Sequence, residues 1–386
     1  MKTFFMAASL LAFVCVPAWA QTGNPPALSE ARAAEIKEKD ALIAKLLPTV
    51  MQPGDLAHGK QMFAQNCQIC HRFAGIGKDL GPDLTDAGAL GRAELLLHVL
   101  DPNRVVEPDY YTTTISTQDG EDRDGVVVRE DKNGLMVRTM SGQTYIKIAD
   151  ISGRKLTGRS LMPVGFESLG AEGIRDIISY IEASRQDYRI IDLQHVFDAD
   201  SRQGLWGDDN DAGESLNFKK CGLVREGDVP FLIVHPLRII VGKNVLVLKG
   251  GPVKAQPQRV DVSNVGVKAV KLDFLGGIGA GAYPAGGEGQ KDIPVAKVTV
   301  HYEDGQSEEI ILKNGEEFGD WKTAGALPAA ADASDLLKQG VLRCFTKSLA
   351  HPGVIQSLSL ESYGNDVAPA FVAITAETGL APEPAK

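Results

Sequence analysis

Residues 64–73 read AQNCQICHRF, and residues 77–84 follow as GKDLGPDL. Cys67 and Cys70 lie three positions apart, a spacing that lets two thiols reach adjacent vinyl groups of one haem, and His71 is the next residue, placed to turn its imidazole to the iron. Zinc would ask for a second paired set of cysteines or histidines, which the chain does not offer. A bare redox dithiol would ask for a preceding strand-and-helix context, and that is missing too. The Gly81-Pro82 turn fits the first use, because a metal-bound histidine usually donates its second N–H to a carbonyl that fixes the ring.

A haem iron has two faces, and this stretch supplies a ligand for one. The candidates for the other are Met51, Met62, Met136, Met140, Met162, His58 and His98, besides more distant histidines. Met62 falls among the polar positions of the helix leading into Cys67, and His98 lies beside an apolar helical face. Met136 and Met140 sit in a strand-like region, where methionine usually packs. Met162 is different, since RSLMPVG (159–165) is a loop stiffened by Pro163 just before a helix. It is the expected sixth ligand. Ligation by His71 and Met162 closes the iron, which argues for electron transfer rather than chemistry at an open site.

Outward from this stretch, residues 1–20 read as a secretory signal: Lys2, an apolar run through Val16, and Ala18-Trp19-Ala20 before a cut after Ala20. A periplasmic protein follows from that reading. The net charge of −10 loses one lysine with the leader and becomes more negative, so nucleic acid and anionic lipid surfaces are poor partners. No later stretch is long and apolar enough to span a membrane. Cys221 and Cys344 remain, and in an oxidising compartment they are expected to pair, closing a long loop worth roughly 4 kcal/mol.

Residues 21–53 predict a leader helix (28–47, ended by Pro48) and a connector. From 54 to 186 the pattern is mainly helical. Leu56, Gly59 and Phe63 share a face, Leu95, Leu96 and Val99 another, and Ile174, Ile177, Ile178 and Ile181 a third. A β-hairpin insertion over 111–149 turns at Asp119-Gly120 and Asn133-Gly134. From 190 to 380 short alternating strands such as PFLIVHP, NVLVLKGG and QSLSLESYG predict an all-β jelly-roll sandwich. The chain is thus multidomain: a mainly α haem domain followed by a β-sandwich.

With these pieces in view, residues 55–184 resemble a class I c-type cytochrome, and more closely the Pirellula/Verrucomicrobium-type haem-binding domain. The likeness rests on GKQMFAQNCQICH, GPDLTDAG, LLLHVLDPNRVVEPDYY, the strand insertion and SLMPVGFESL before IRDIISYIEAS. It implies one covalent haem c on Cys67 and Cys70, His71 and Met162 on the iron, and a helix crossing near Gly59, Phe63 and Tyr180. The separation of the two ligands, 91 positions from 71 to 162, departs from small cytochromes. The C-terminal half resembles a galactose-binding-like jelly roll, whose fold says little about its ligand.

The leading expectation is a non-enzymatic monohaem carrier that moves single electrons between a periplasmic dehydrogenase and an acceptor or oxidase. Arg72, Lys78, Arg154, Lys155 and Arg159 would form a basic rim for an acidic redox partner. The alternative is a carbohydrate- or partner-binding jelly roll in which the haem domain is an accessory redox module. Trp206, Trp321, Tyr283 and Tyr302 are its candidate sugar platforms, though core packing suits each better, and Asp208, Asp209, Asp211 and Glu214 are candidate calcium ligands, though a solvated acidic loop suits them better. A haem peroxidase would need an open iron or a second haem.

Overall fold

The computed structural model describes residues 30–206, 215–236, 242–279, 287, 290–351 and 353–382. The leader over 1–20, the acidic group Asp208, Asp209, Asp211 and Glu214, and Tyr283 lie outside the described residues.

Helix α1 (Glu30–Val50) opens the described chain and runs through Pro48 rather than stopping before it. Leu42, Ile43, Leu46 and Leu47 turn its apolar side onto a cluster with Leu95, Leu96, Leu100, Ile174 and Ile178. Arg104 ties the helix down, donating to Asp40 Oδ1 at 2.7 Å and to the Ile36 carbonyl at 3.3 Å. Around the same cluster stand α2 (Leu56–Asn66), α3 (Arg92–Leu100) and α4 (Gly170–Ala183). A short ladder joins β1 (Arg72–Phe73) to β2 (Ile76–Gly77).

Residues 112–156 hold more than a hairpin. Strands β3 (Thr112–Thr117), β4 (Asp122–Asp131), β5 (Gly134–Thr139), β6 (Gly142–Lys147) and β7 (Ile151–Leu156) form one antiparallel sheet in the order β6-β5-β4-β3-β7. Ile115, Leu135, Val137 and Ile146 are buried on it as a separate core. The first turn uses Gly120 with φ of 85°. At the second, Gly134 already pairs with Asp131, so the turn falls one residue earlier than Asn133-Gly134.

The mainly α expectation for 54–186 is therefore corrected. Successive β-branched runs closed a five-stranded sheet, because each new strand gave the last one a partner for its open edge. Among the described residues there are twenty strands and four α-helices, and the structure is mostly β.

The second half is a two-sheet sandwich. One sheet is built from β11 (Leu246–Val247), β14 (Lys271–Gly279), β17 (Ala331–Ala333), β18 (Leu342–Ser348) and β20 (Ala368–Glu377), in the order β11-β20-β14-β18-β17. Strand β8 (Tyr188–Ile191), which directly follows the α4 region, also pairs with β20. The other sheet runs β12-β19-β15-β16, from β12 (Arg259–Val262), β15 (Pro294–Tyr302), β16 (Ser307–Lys313) and β19 (Val354–Ser362), with β13 (Val267–Lys268) pairing beside β12 on β19. Leu272, Phe274 and Phe371 meet Val298, Val300 and Leu358 between the sheets.

The two outer faces differ. Beyond the β20 sheet lies a second apolar layer, in which Trp206 and Trp321 stack with centroids 5.3 Å apart among Leu216, Phe231, Ile233 and Leu337. Two of these residues belong to the hairpin of β9 (Gly222–Glu226) and β10 (Val229–Ile233). Beyond the β15 sheet no such layer is present among the described residues, and the outward side chains are mostly polar, with Ile311 of β16 an exposed apolar exception.

The expected disulfide is also corrected, since Cys221 and Cys344 are not joined. Each packs in the outer apolar layer as a small hydrophobic side chain. Burial, with Asp273 and Glu226 adding to it, pushes the Cys344 thiol up to about 12, which suppresses the thiolate that disulfide exchange needs.

Candidate functional site

The site starts from the crossing of α2 and α4. Asp55 caps α2, its carboxylate accepting from the Ala57 and His58 N–H groups at 2.9 and 3.0 Å. At Gly59 a Cβ would come 2.0 Å from the Asp176 carbonyl oxygen, so only glycine admits the α4 backbone there. Phe63, Phe73 and Tyr180 fill the crossing, with ring centroids 5.2 to 5.8 Å apart.

Where α2 ends, the Cys70 and His71 N–H groups both donate to the Cys67 carbonyl, at 3.0 and 2.9 Å. This tight turn brings Cys67, Cys70 and His71 to one wall of a cavity of about 590 Å³. His71 is 9 % exposed. Its Nδ1 donates to the Pro82 carbonyl at 2.8 Å, which leaves Nε2 as the ring's acceptor. Burial holds the imidazole below its ordinary pKa against that hydrogen bond, which favours the neutral form that ligates a metal. A Cβ at Gly81 would sit 2.5 Å from His71 Cε1, so glycine is needed for the ring to take this position. Burial pushes the Cys67 thiol up to about 12 and raises Cys70 as well.

Met162 lines the same cavity. Its N–H donates to Ser160 Oγ at 3.0 Å, and the Ser160 N–H donates to Asn103 Oδ1 at 3.0 Å. Thr112 at the start of β3 holds the Arg159 carbonyl through its N–H and hydroxyl, at 2.8 and 2.9 Å. The loop is thus fixed over the residues that lead into the methionine. Met140 and His98 line the cavity too, but Met140 is 55 % exposed and His98 contacts Glu94 at 3.3 Å. His58 is bonded to Asp176 at 2.7 Å, and Met62 packs beside Gly173. Cys67 and Cys70 are the side chains able to hold a haem covalently, and His71 and Met162 those able to meet its iron.

The rest of the wall combines expected and unexpected residues. Leu95, Ile177, Ile178 and Ile181 come from the helical stripes read in the sequence. Lys220, Cys221, Gly222, Leu223 and Leu232 come from the β9–β10 region of the second half, which no local pattern placed here. Arg225 locks that hairpin to Asp86 at 3.0 and 2.5 Å, and Arg185 donates to the Asp228 carbonyl at 2.7 Å. Alternation in GLVREGDVPFLI marks a hairpin but not its dock.

The basic rim is largely neutralised. Arg72 pairs with Asp79 at 2.6 Å, Arg154 with Glu130 at 2.9 Å and Arg159 with Glu35 at 3.7 Å. The expected sugar platforms are in the core: Trp206 and Trp321 are 2 and 3 % exposed and Tyr302 is 1 % exposed. Among the described residues no three His, Cys, Asp or Glu side chains gather to hold a metal ion, which goes against the general expectation of a metal-binding protein. Nor is any described helix long and apolar enough to cross a membrane.

No family model matches the chain. No curated protein matches it either. Among solved structures, a point mutant of a family 29 carbohydrate-binding module aligns over 50 % of this chain and 92 % of its own, at 10 % identity and a TM-score of 0.20. That score supports no argument about fold or ligand. The expectation that the whole protein is a monohaem electron carrier is corrected by the make-up of the structure itself. It is mostly β, and its larger body is a sandwich with one covered and one open face, so the jelly-roll binding alternative fits the chain better than a shuttle does.

Proposed function

We propose that the chain is a jelly-roll binding protein of the periplasm, not an enzyme, in which a small covalent-haem module is an accessory. The observation that carries this reading is the asymmetry of the sandwich. The open sheet carries a grid across neighbouring strands: Arg259, Glu361, Lys297 and the apolar Ile311 in one row, Asp261, the buried Ser359, Thr299 and Glu309 in the next, then Ser357, His301 and Ser307. These groups are already oriented. Ser359 Oγ donates to Asp261 at 2.6 Å and lies 3.0 Å from His301 Nε2, while Lys297 reaches Glu309 at 3.1 Å. Tyr363, 45 % exposed, continues the outward alternation of β19 just beyond Glu361. A hydroxyl-rich polysaccharide suits such a face, with donors and acceptors for its hydroxyls and an aromatic ring for a sugar face.

Support for the accessory module comes from the cavity. Its volume lies within the usual range for ligand sites, roughly 300–1,000 Å³. Two thiols, a histidine held through Pro82 and a thioether on a pinned loop make a donor set that fits haem c. Cys67 and Cys70 would anchor it, and His71 and Met162 would meet its iron. Bound there, a haem supplies one-electron redox chemistry. The chain's own part is to orient the imidazole and exclude water with Leu95, Ile177 and Ile181.

The test uses the full chain produced with haem-attachment machinery. Covalent haem that survives acid extraction is expected, and is lost in Cys67→Ser/Cys70→Ser. Affinity electrophoresis through soluble polysaccharides should retard the wild type and not Tyr363→Ala. Equal mobility of both proteins in every polysaccharide would overturn the binding reading.

A further inference from the structure

We infer that the sandwich completes the haem pocket: the segment 220–223 and Leu232 form its outer wall, with Lys220 placed to meet an anionic edge of the bound group. The inference rests on reading the cavity as a cofactor site and concerns which half of the chain builds it.

Three observations bear on it. Leu223 belongs to the apolar cluster of the helical module although it lies in the second half of the chain, next to the outer apolar layer that holds Cys221 and Val224. The hairpin is gripped from both sides. Arg225 and the Asp228 carbonyl are held by Asp86 and Arg185 of the module, and the Pro230 carbonyl accepts from the Thr375 hydroxyl of β20 at 2.6 Å. The hairpin is therefore a shared part, not a surface loop that happens to touch.

Charge gives the third observation. Among the described residues lining the cavity, Lys220 is the sole lysine or arginine, whereas Asp83, Glu107 and Asp109 supply three carboxylates. A haem brings two carboxylate groups of its own. In a wall this acidic, a carboxylate is stabilised where the ammonium is. Lys220 is exposed, so its charge can be changed without opening the core.

The experiment compares wild type, Lys220→Glu and Leu223→Asp as full chains produced with haem-attachment machinery. Two signals are read: covalent haem absorbance per protein, and Trp206/Trp321 fluorescence through urea unfolding. In Lys220→Glu the expected result is a several-fold fall in haem content, or a loaded protein whose oxidised spectrum now responds to added imidazole, with the tryptophan midpoint unchanged. Leu223→Asp should show the same with a larger effect. Haem content and imidazole response equal to wild type in Lys220→Glu would overturn the inference, whether or not Leu223→Asp folds. A wild-type chain that carries no covalent haem would instead overturn the cofactor reading, so the two failures are distinct.

Discussion

The sandwich and the helical module handle their apolar side chains in opposite ways. In the sandwich, Phe274, Phe318, Phe345 and Phe371 meet one another at centroid distances of 5.1 to 6.4 Å and fill the space between sheets. In the module, Leu95, Ile177, Ile178 and Ile181 turn toward a cavity of about 590 Å³. The first is a core that satisfies itself. The second is a wall built for a guest, and part of it is borrowed from the sandwich. The module cannot therefore be understood from its own segment of chain, while the sandwich can lose the module's guest and keep its core.

The strongest way to break this contrast is to damage the sandwich alone. Trp321→Ala removes half of the stacked pair in the outer layer and should cost ~3–5 kcal/mol, measured by urea unfolding of the full chain. Because the β9–β10 hairpin sits in that layer, haem retention should weaken too, whereas a change confined to the module should leave the sandwich intact. Gly59→Val is that converse change. Its Cβ meets the Asp176 carbonyl, and a loss of roughly 3 kcal/mol is expected in the module. Helical circular dichroism should fall at a lower urea concentration than the tryptophan signal, and coincident transitions would show that the two regions unfold as one.

The regions should also respond oppositely to pH. In the sandwich, burial pushes the Asp198 and Asp273 carboxyls up to about 6, against the Val247 N–H and the Thr346 hydroxyl respectively. Each keeps one oxygen without a hydrogen-bond partner. A raised carboxyl pKa means that the folded state holds protons the unfolded chain releases. Stability from these groups is full below pH 4 and is lost as pH rises through 6, by on the order of 2–3 kcal/mol per carboxyl. In the module, burial pushes Asp176 up, but His58 and Arg175 outweigh it and hold the carboxyl below its ordinary value. That contribution is present at neutral pH and is lost as pH falls below 4. The tryptophan unfolding midpoint should therefore be higher at pH 5 than at pH 7.5, and Asp273→Asn should flatten the difference. A midpoint that rises with pH over this range would break the contrast.

Much of the site was legible because it is local. Cys67, Cys70 and His71 share one turn, Pro82 follows within a short loop, and the stripe of Ile177, Ile178 and Ile181 repeats with the helix. Met162 could be read from a loop stiffened by proline, and the structure brings it to the same cavity. What failed was non-local. The run over 111–149 alternates like a hairpin, and nothing in it says that β7 will return to close a fifth strand. Trp206 and Trp321 read equally as platforms or core until the layer above them is seen. Cys221 and Cys344 looked like a pair by elimination, whereas one sits at the cavity wall and the other in mid-strand.

By itself, then, the sequence determined the chemistry-bearing turn, the helical faces and the strand alternation, since each depends on neighbours within a few residues. Only the tertiary structure decided which sheet face is covered, which stays open, and that the β9–β10 hairpin crosses to wall the cavity. Alternation states which side of a strand is apolar, and burial energy rewards any apolar cover equally well. Which cover arrives is settled by the packing of segments far apart in the chain.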